Sequence, residues 1–237
     1  MFNPPTGAPL PADVLARRTT LPLKPVAVTL TGPRFTLRPL DLERDVPTLF
    51  AISNGQPASL GDRSVGAYDA GALVWRFMSG GPFATAADLT AWLRTQVESP
   101  SVLPFAVVEQ ATGQPIGAAT YMSNAPEHLK IELGSIWYSP LAQRTGANTE
   151  ATYLMLRHAF EIGYRRVEWK CDALNERSRR AALGMGFRFE GIQEAHFIVK
   201  GRNRDTAWFR LLDRDWPAVQ EMLKRKLASH TSNRTRS

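Results

Sequence analysis

Apolar and polar residues first fall into a clear period at Phe35-Thr36-Leu37-Arg38-Pro39-Leu40, where strict alternation marks a half-buried strand. Asp41 stands where a helix N-cap is needed, and the pattern predicts a helix to about Ser53. Leu89, Trp92, Leu93 and Gln96 recur at helical intervals and place a second helix over residues 86–98. A meander follows, with strands over 103–109, 115–122 and 130–138, the first two joined by a turn at Ala111-Thr112-Gly113-Gln114. Next come a long helix over 148–162, a strand over 166–171, and a helix capped by Asn175 that stops at Gly184 or Gly186. Residues 187–197 and 204–212 form a last hairpin about Lys200-Gly201-Arg202-Asn203. Asp213 or Asp215 caps a closing helix to about Ala228. This order predicts an α+β fold, mixed α and β, with a largely antiparallel sheet.

Two stretches break the period. Residues 1–30 hold Pro4, Pro5, Pro9, Pro11, Pro22 and Pro25 and lack the continuous apolar core of a signal peptide. They read as an irregular arm lying over the domain or over a partner chain, before a domain at 31–228 and a flexible tail at 229–237. Residues 54–85 are glycine-rich and aperiodic, a connection of the length that usually carries function or mobility. Tyr68, Trp75, Arg76, Phe77 and Met78 within it either wall a pocket or pack beneath the loop.

Composition narrows the classes. The 237 residues are 43% hydrophobic, enough for the core of one domain, and no apolar run is long enough to span a membrane. The single cysteine, Cys171, excludes an internal disulfide and a cysteine metal cluster and points to a reducing cytoplasm. It lies in a β-like run and reads as buried filler. Four scattered histidines (His128, His158, His196 and His230) show no paired spacing for a metal, and His158 sits inside an apolar helix. The formal charge of +7 suits an anionic partner, although Lys224-Arg225-Lys226, Arg234 and Arg236 place part of it on a solvated helix end and tail. Basic and aromatic residues do not interleave on one element, which argues against direct nucleic-acid binding.

The most chemically loaded stretch runs from Ile131 to Phe187. An apolar strand ends at a turn around Pro140. Gln143-Arg144-Thr145-Gly146-Ala147-Asn148 then opens a long helix. The N–H groups of a first helical turn lack internal partners and carry partial positive charge, so they can cradle a diphosphate. Gly146 and Ala147 are small enough to allow a close approach.

The order strand, Gln143-x-x-Gly146-x, helix, strand, Asn175-x-x-Ser178, Gly186-Phe187 resembles the GNAT superfamily of acyl-CoA-dependent N-acyltransferases. Within it, Thr145-Gly146-Ala147-Asn148-Thr149-Glu150-Ala151, His158-Ala159-Phe160-Glu161, Asn175-Glu176-Arg177-Ser178, Glu190-Gly191 and Arg202-x-x-Asp205 are similar to the RimJ/RimL branch of ribosomal-protein N-terminal acetyltransferases and their small-amine relatives. The likeness covers residues 34–225. It implies helices on both faces of the sheet and a splayed strand pair whose gap takes the pantetheine arm of acetyl-CoA or another acyl-CoA. By motif position Ile136-Trp137-Tyr138 lies on one splayed strand, with Val167 to Cys171 as its partner, and Arg144 to Thr149 takes the diphosphate. Where the family often carries Gly or Ala, this chain has Asn148, which can cap the helix.

The resemblance also implies that Asn175 binds the pantetheine arm. Many relatives place an acid tyrosine seven residues later, where Ala182 stands here, so Ser178 inherits proton donation to the leaving thiolate. Glu132 is the candidate general base, or else a partner of Arg38 or another sheet residue. Arg38, Trp75 and Arg76 are candidate acceptor contacts, and an arginine near the thioester would favour a succinyl over an acetyl donor. The acceptor is a protein or peptide N-terminus, or a free small amine. A sensor that binds acyl-CoA without turnover is the remaining class. The arm and the late hairpin are contact elements for a possible homodimer.

Overall fold

The structure, a computed structural model, describes residue 7 and residues 9–232. In chain order the elements are α1 (Ala12–Ala16), β1 (Leu30–Thr31), β2 (Phe35–Pro39), α2 (Leu42–Ala51), β3 (Ala58–Leu60), β4 (Arg63–Val65), α3 (Ala86–Val97), β5 (Leu103–Glu109) and β6 (Gln114–Ala125). There follow β7 (Lys130–Tyr138), α4 (Ala147–Glu161), β8 (Arg166–Asp172), α5 (Glu176–Gly184), β9 (Arg188–Val199), β10 (Arg202–Leu212) and α6 (Trp216–Ser232).

Among the described residues, eight strands form one sheet in the order β1-β2-β5-β6-β7-β8-β10-β9. Every neighbouring pair is antiparallel except β7 and β8. The seven residues of β5 are all buried, as a central strand covered on both faces requires. Tyr121 of β6 points to α4, where its hydroxyl donates to the Met155 carbonyl at 2.5 Å. Tyr121 pairs with Leu133, so alternation turns the next pair, Met122 and Glu132, toward the opposite face.

Local chemistry sets the helix starts. Asp41 caps α2 by accepting from the Arg44 N–H, and Thr85 with Asp88 builds a reciprocal capping box on α3. Asp213 and Asp215 instead lie in a 3-10 turn before α6, and Asp215 accepts from Arg210 at 2.9 Å. The closing helix runs to Ser232, past the expected Ala228.

The N-terminal arm is partly helical, through α1 and a 3-10 turn at Arg17–Thr19, rather than wholly irregular. It is tied to its own chain. Arg18 Nε donates to the Glu127 carbonyl at 2.7 Å, and Asn124 Nδ2 donates to the Pro22 and Leu23 carbonyls at 3.0 and 2.8 Å. Expectations for residues 1–6, 8 and 233–237 lie outside the described residues. The aperiodic stretch 54–85 contains a small hairpin, β3–β4, and a π-helical turn at Gly71–Trp75. Arg63 bonds the Glu109 carboxylate and donates to the Leu141 carbonyl at 2.8 Å, fastening this stretch beneath the turn that follows β7.

Candidate active site

The parallel pair β7–β8 holds register only from Lys130↔Arg166 to Leu133↔Trp169. Its separation has a local cause. Thr120 of β6 pairs with Gly134, but Ala118 pairs with Trp137, so Ser135 and Ile136 together oppose the single residue Ala119. That is a β-bulge, with Ser135 at φ 48°, and a bulge bends and twists its strand away from its neighbour. Ile136-Trp137-Tyr138 therefore runs past an open edge, as expected. Of the expected partner Val167 to Cys171, the first three residues remain paired and the opening begins at Lys170. A groove of about 970 Å³ passes through it, and Trp169, Lys170 and Cys171 line that groove.

At one end of the groove the chain turns sharply. After a 3-10 turn at Pro140–Ala142, Arg144 takes φ 63° and Gly146 φ 88°, and Gly146 is the residue that opens α4. Asn148 does not cap the helix. Its Oδ1 is buried with no hydrogen-bond partner, on the groove wall. Gln143, Arg144, Gly146, Ala147, Asn148 and Thr149 line the groove. Thr145 does not, and its hydroxyl donates to the Ala142 carbonyl at 2.7 Å. Arg34 and Glu150 brace the turn from behind: Arg34 Nη1 donates to the Thr145 carbonyl at 3.0 Å, and the buried Glu150 carboxylate accepts the backbone N–H groups of Arg34 and Phe35. The result is a first helical turn aimed at the groove, with Arg144 beside it, a place suited to a diphosphate.

Across the opening, Asn175 caps α5, with Oδ1 accepting from the Ser178 N–H at 3.1 Å, and both residues line the groove. The Ser178 hydroxyl accepts from Trp169 Nε1 at 3.0 Å, and its own hydrogen is turned to the Cys171 sulfur. Cys171 beside it is 5% exposed, and burial pushes its thiol up, away from the thiolate.

On the other face lies Glu132, 1% exposed. Its Oε2 stands 2.9 Å from Lys170 Nζ, a close ion pair. Burial raises the Glu132 carboxyl above its ordinary value, and the Lys170 charge opposes that rise. A carboxylate poised in this way is suited to accept a proton. Arg76 lines the same groove. Trp75 does not: it is 1% exposed, packed against Phe83, Trp92 and Trp137, and donates Nε1 to the Ser53 carbonyl. Arg38 is also elsewhere, with Nη1 2.7 Å from the buried Asp45, so it neither pairs with Glu132 nor reaches the groove.

This arrangement has counterparts among known proteins. Residues 34–188 match the family model described as the acetyltransferase (GNAT) domain. The chain belongs to the GNAT acetyltransferase family. A GCN5-related N-acetyltransferase from Brucella melitensis is 39% identical over 85% of this chain and 86% of its own, with a TM-score of 0.76. A protein from Chromobacterium violaceum described as a "probable acetyltransferase (GNAT family)" is 32% identical over 91% of this chain and 100% of its own, at a TM-score of 0.75. A spermidine N-acetyltransferase chimera of Vibrio cholerae and human sequence is 17% identical over 77% and 97%, at 0.58, and shares the fold alone. No curated protein matches the sequence. This GNAT chain is thus an N-acetyltransferase, of a family whose domains use acetyl-CoA as co-substrate. Among the described residues no helix is long and apolar enough to cross a membrane, and no acidic, histidine or cysteine cluster has the makings of a metal site.

Several groove residues of this GNAT domain escaped the sequence reading. Lys170 is one, and its signal was available, since a lysine in the run Val167-Glu168-Trp169-Lys170-Cys171 alternates onto the same face as Glu168. Tyr138 was expected only as backbone. Its hydroxyl is buried without a partner, and burial keeps it protonated well past the ordinary tyrosine value. Gln96, Phe197 and Arg204 line the groove from α3, β9 and β10, and no local pattern announces them.

Proposed function

We propose that this GNAT enzyme transfers an acetyl group from acetyl-CoA to the α-amine of a protein or peptide N-terminus, by direct attack within a ternary complex. One observation carries the reading: the β7–β8 opening has a helix N-terminus on one side and the buried Glu132 carboxylate on the other. The first turn of α4 and Arg144 hold the diphosphate. The unpaired edge of β7 past Gly134 receives the pantetheine amides, and a backbone N–H there stabilises the oxyanion. Glu132 takes the ammonium proton, and Ser178, anchored by Trp169, returns a proton to the departing sulfur.

The motif resemblance supports a place in the RimJ/RimL branch, and the single buried cysteine supports a cytoplasmic setting. Edge strand β9 exposes Phe189, Ile192 and Ile198, which supports a homodimer through the late hairpin. A free small amine is the second reading. It is favoured by Lys200 Nζ, which donates to the Trp75 carbonyl at 2.8 Å and ties the hairpin tip to the loop that walls the acceptor side. A thiol-release assay with acetyl-CoA and succinyl-CoA, run against N-terminal peptides and small amines, decides between them. Peptide-dependent release from acetyl-CoA is expected. CoA binding with no thiol released from any amine would leave a non-catalytic binder.

A further inference from the structure

We infer that the N-terminal arm sets which acceptors fit the groove, with Lys24 and Asn124 as the positioning residues that fasten it across the wall beside Glu132. The inference rests on the transferase reading and adds a specificity-determining element to it. Strand register locates the wall. Leu103 pairs with Tyr121 and Tyr121 with Leu133, and one step further along Met122 pairs with Glu132. Val102 is the residue before Leu103, so Val102, Met122 and Glu132 stand at the same end of β5, β6 and β7, and all three line the groove. Met122 Sδ lies so close over Gly134 that a Cβ there would collide with it. The Met122 side chain therefore reaches to the residue before the bulge at which the sheet opens. Thr95, Gln96 and Ser99 continue the groove lining from the end of α3.

The arm is tied to both sides of this wall. Lys24 Nζ donates to the Val97 and Ser99 carbonyls at 2.7 and 2.8 Å. The last carbonyls of a helix lack internal partners and carry partial negative charge, so an ammonium suits the end of α3. On β6, Asn124 is 5% exposed; its Nδ2 donates to the Pro22 and Leu23 carbonyls, and its Oδ1 accepts from the Tyr164 hydroxyl at 2.7 Å. Residues 22–24 thus bridge the turn between α3 and β5 to the end of β6, and Pro22 and Pro25 stiffen the bridge by fixing φ. Ser123, between Met122 and Asn124, takes φ 49° and its side chain bonds the Glu132 carboxylate. Loosening the arm therefore frees Ser99 and Val102 on one side and Met122 and Ser123 on the other. It touches neither the first turn of α4 nor the unpaired edge of β7. The acceptor end of the groove changes, and the acetyl-CoA end does not.

The test follows thiol release from acetyl-CoA with acceptors graded in size: ethylamine, 2-phenylethylamine, spermidine and a tripeptide beginning with alanine. Wild type is compared with Lys24→Glu, whose charge the two carbonyls repel, with Asn124→Ala, and with Lys24→Arg, which keeps the donors. Lys24→Glu and Asn124→Ala should each move the kcat/KM ratio between the largest and smallest accepted amine by about fivefold or more in favour of the larger. The change should come through KM for the amine, with KM for acetyl-CoA within about twofold of wild type. Both terms of the ratio come from one preparation, so it does not depend on how much of a variant is folded. Lys24→Arg should keep the wild-type ratio. Hydrogen exchange at residues 95–102 should be faster in the first two variants and unchanged in Lys24→Arg. A ratio unchanged in both variants, or one uniform fall for every amine, overturns the inference and makes the arm a structural strap alone. Wild type that releases thiol with no amine or peptide overturns the transferase reading, and the arm's part in acceptor choice falls with it.

Discussion

Glu132→Gln is the perturbation that bears most directly on the chemistry. Glutamine keeps the shape and removes the proton acceptor. A positioned general base contributes about 10²- to 10⁴-fold, so kcat/KM should fall by that factor, or about 3–5 kcal/mol of transition-state stabilisation. The loss should depend on pH. Burial holds the Glu132 carboxyl above the ordinary glutamate value, against the pull of Lys170. The wild-type rate should therefore rise about tenfold per pH unit below that raised value and level off above it. A second rising limb belongs to the acceptor's own ammonium and moves when an acceptor of different pKa is used. The Glu132 limb should stay in place, and only that limb should vanish in the variant. Stability has the opposite sense. A carboxyl whose folded pKa is raised contributes stability that is fully present below the unfolded value and is lost as pH rises through the folded one. Glu132→Gln removes this dependence while leaving Lys170 without its 2.9 Å counter-charge. Breaking a buried pair in this way costs about 3–5 kcal/mol, so activity must be compared on the folded fraction, with Glu132→Gln/Lys170→Met as the matched control. Steady-state thiol release from pH 5 to 9 with two acceptors checks all of this. A variant within threefold of wild type across that range refutes Glu132 as the base.

Other perturbations test the rest of the site. Gly146→Val forces a β-branched residue to φ 88° at the start of α4; it should cost about 1–3 kcal/mol of stability and weaken CoA binding by about tenfold or more, as read by thermal melting and calorimetry. Ser178→Ala leaves the Trp169 indole N–H without the acceptor it has at 3.0 Å, at a cost of about 1–3 kcal/mol. If Ser178 also delivers the thiolate's proton, kcat should fall about tenfold or more with KM for acetyl-CoA unchanged, and an unchanged kcat returns Ser178 to a packing role. Asp45 is 0% exposed and binds Arg38, Arg44 and the Asp41 N–H. Burial alone would raise its carboxyl, but these donors together hold it below the usual value, so its contribution is present above the unfolded value of 3.8 and is lost as pH falls through the folded one. Asp45→Asn should cost about 3–5 kcal/mol and flatten the acid limb of the stability curve, with acetyl transfer unchanged at neutral pH.

What the sequence revealed and what it concealed divide along physical lines. Strands 103–109 and 130–138 were legible to the residue because a buried strand leaves an unbroken or alternating apolar run of fixed period. The hairpin Ala58–Leu60 with Arg63–Val65 was not, since strands of three residues are too short to show any period. The same contrast governs the site. Gly146 was readable as the loop's pivot because glycine has no steric penalty at φ 88°, and it takes the helix entrance from Asn148 for that reason. Ser135, at φ 48°, makes the bulge that opens the sheet, yet a serine carries no such mark. Its conformation is imposed by Thr120 and Ala118 on the next strand. Arg38 was misjudged in the reverse direction. It was expected as an acceptor contact, but Asp45, one turn into the next helix and fully buried, claims its charge first. Lys170 and Glu132 show the limit most plainly. They are 38 positions apart on parallel strands, and whether that pair forms is decided by the residue at which β7 and β8 part company. The cradle for the nucleotide is local and therefore written in consecutive residues, while the acceptor side is assembled from α3, β9, β10 and the loop at 71–79 and exists only once the sheet has closed around it.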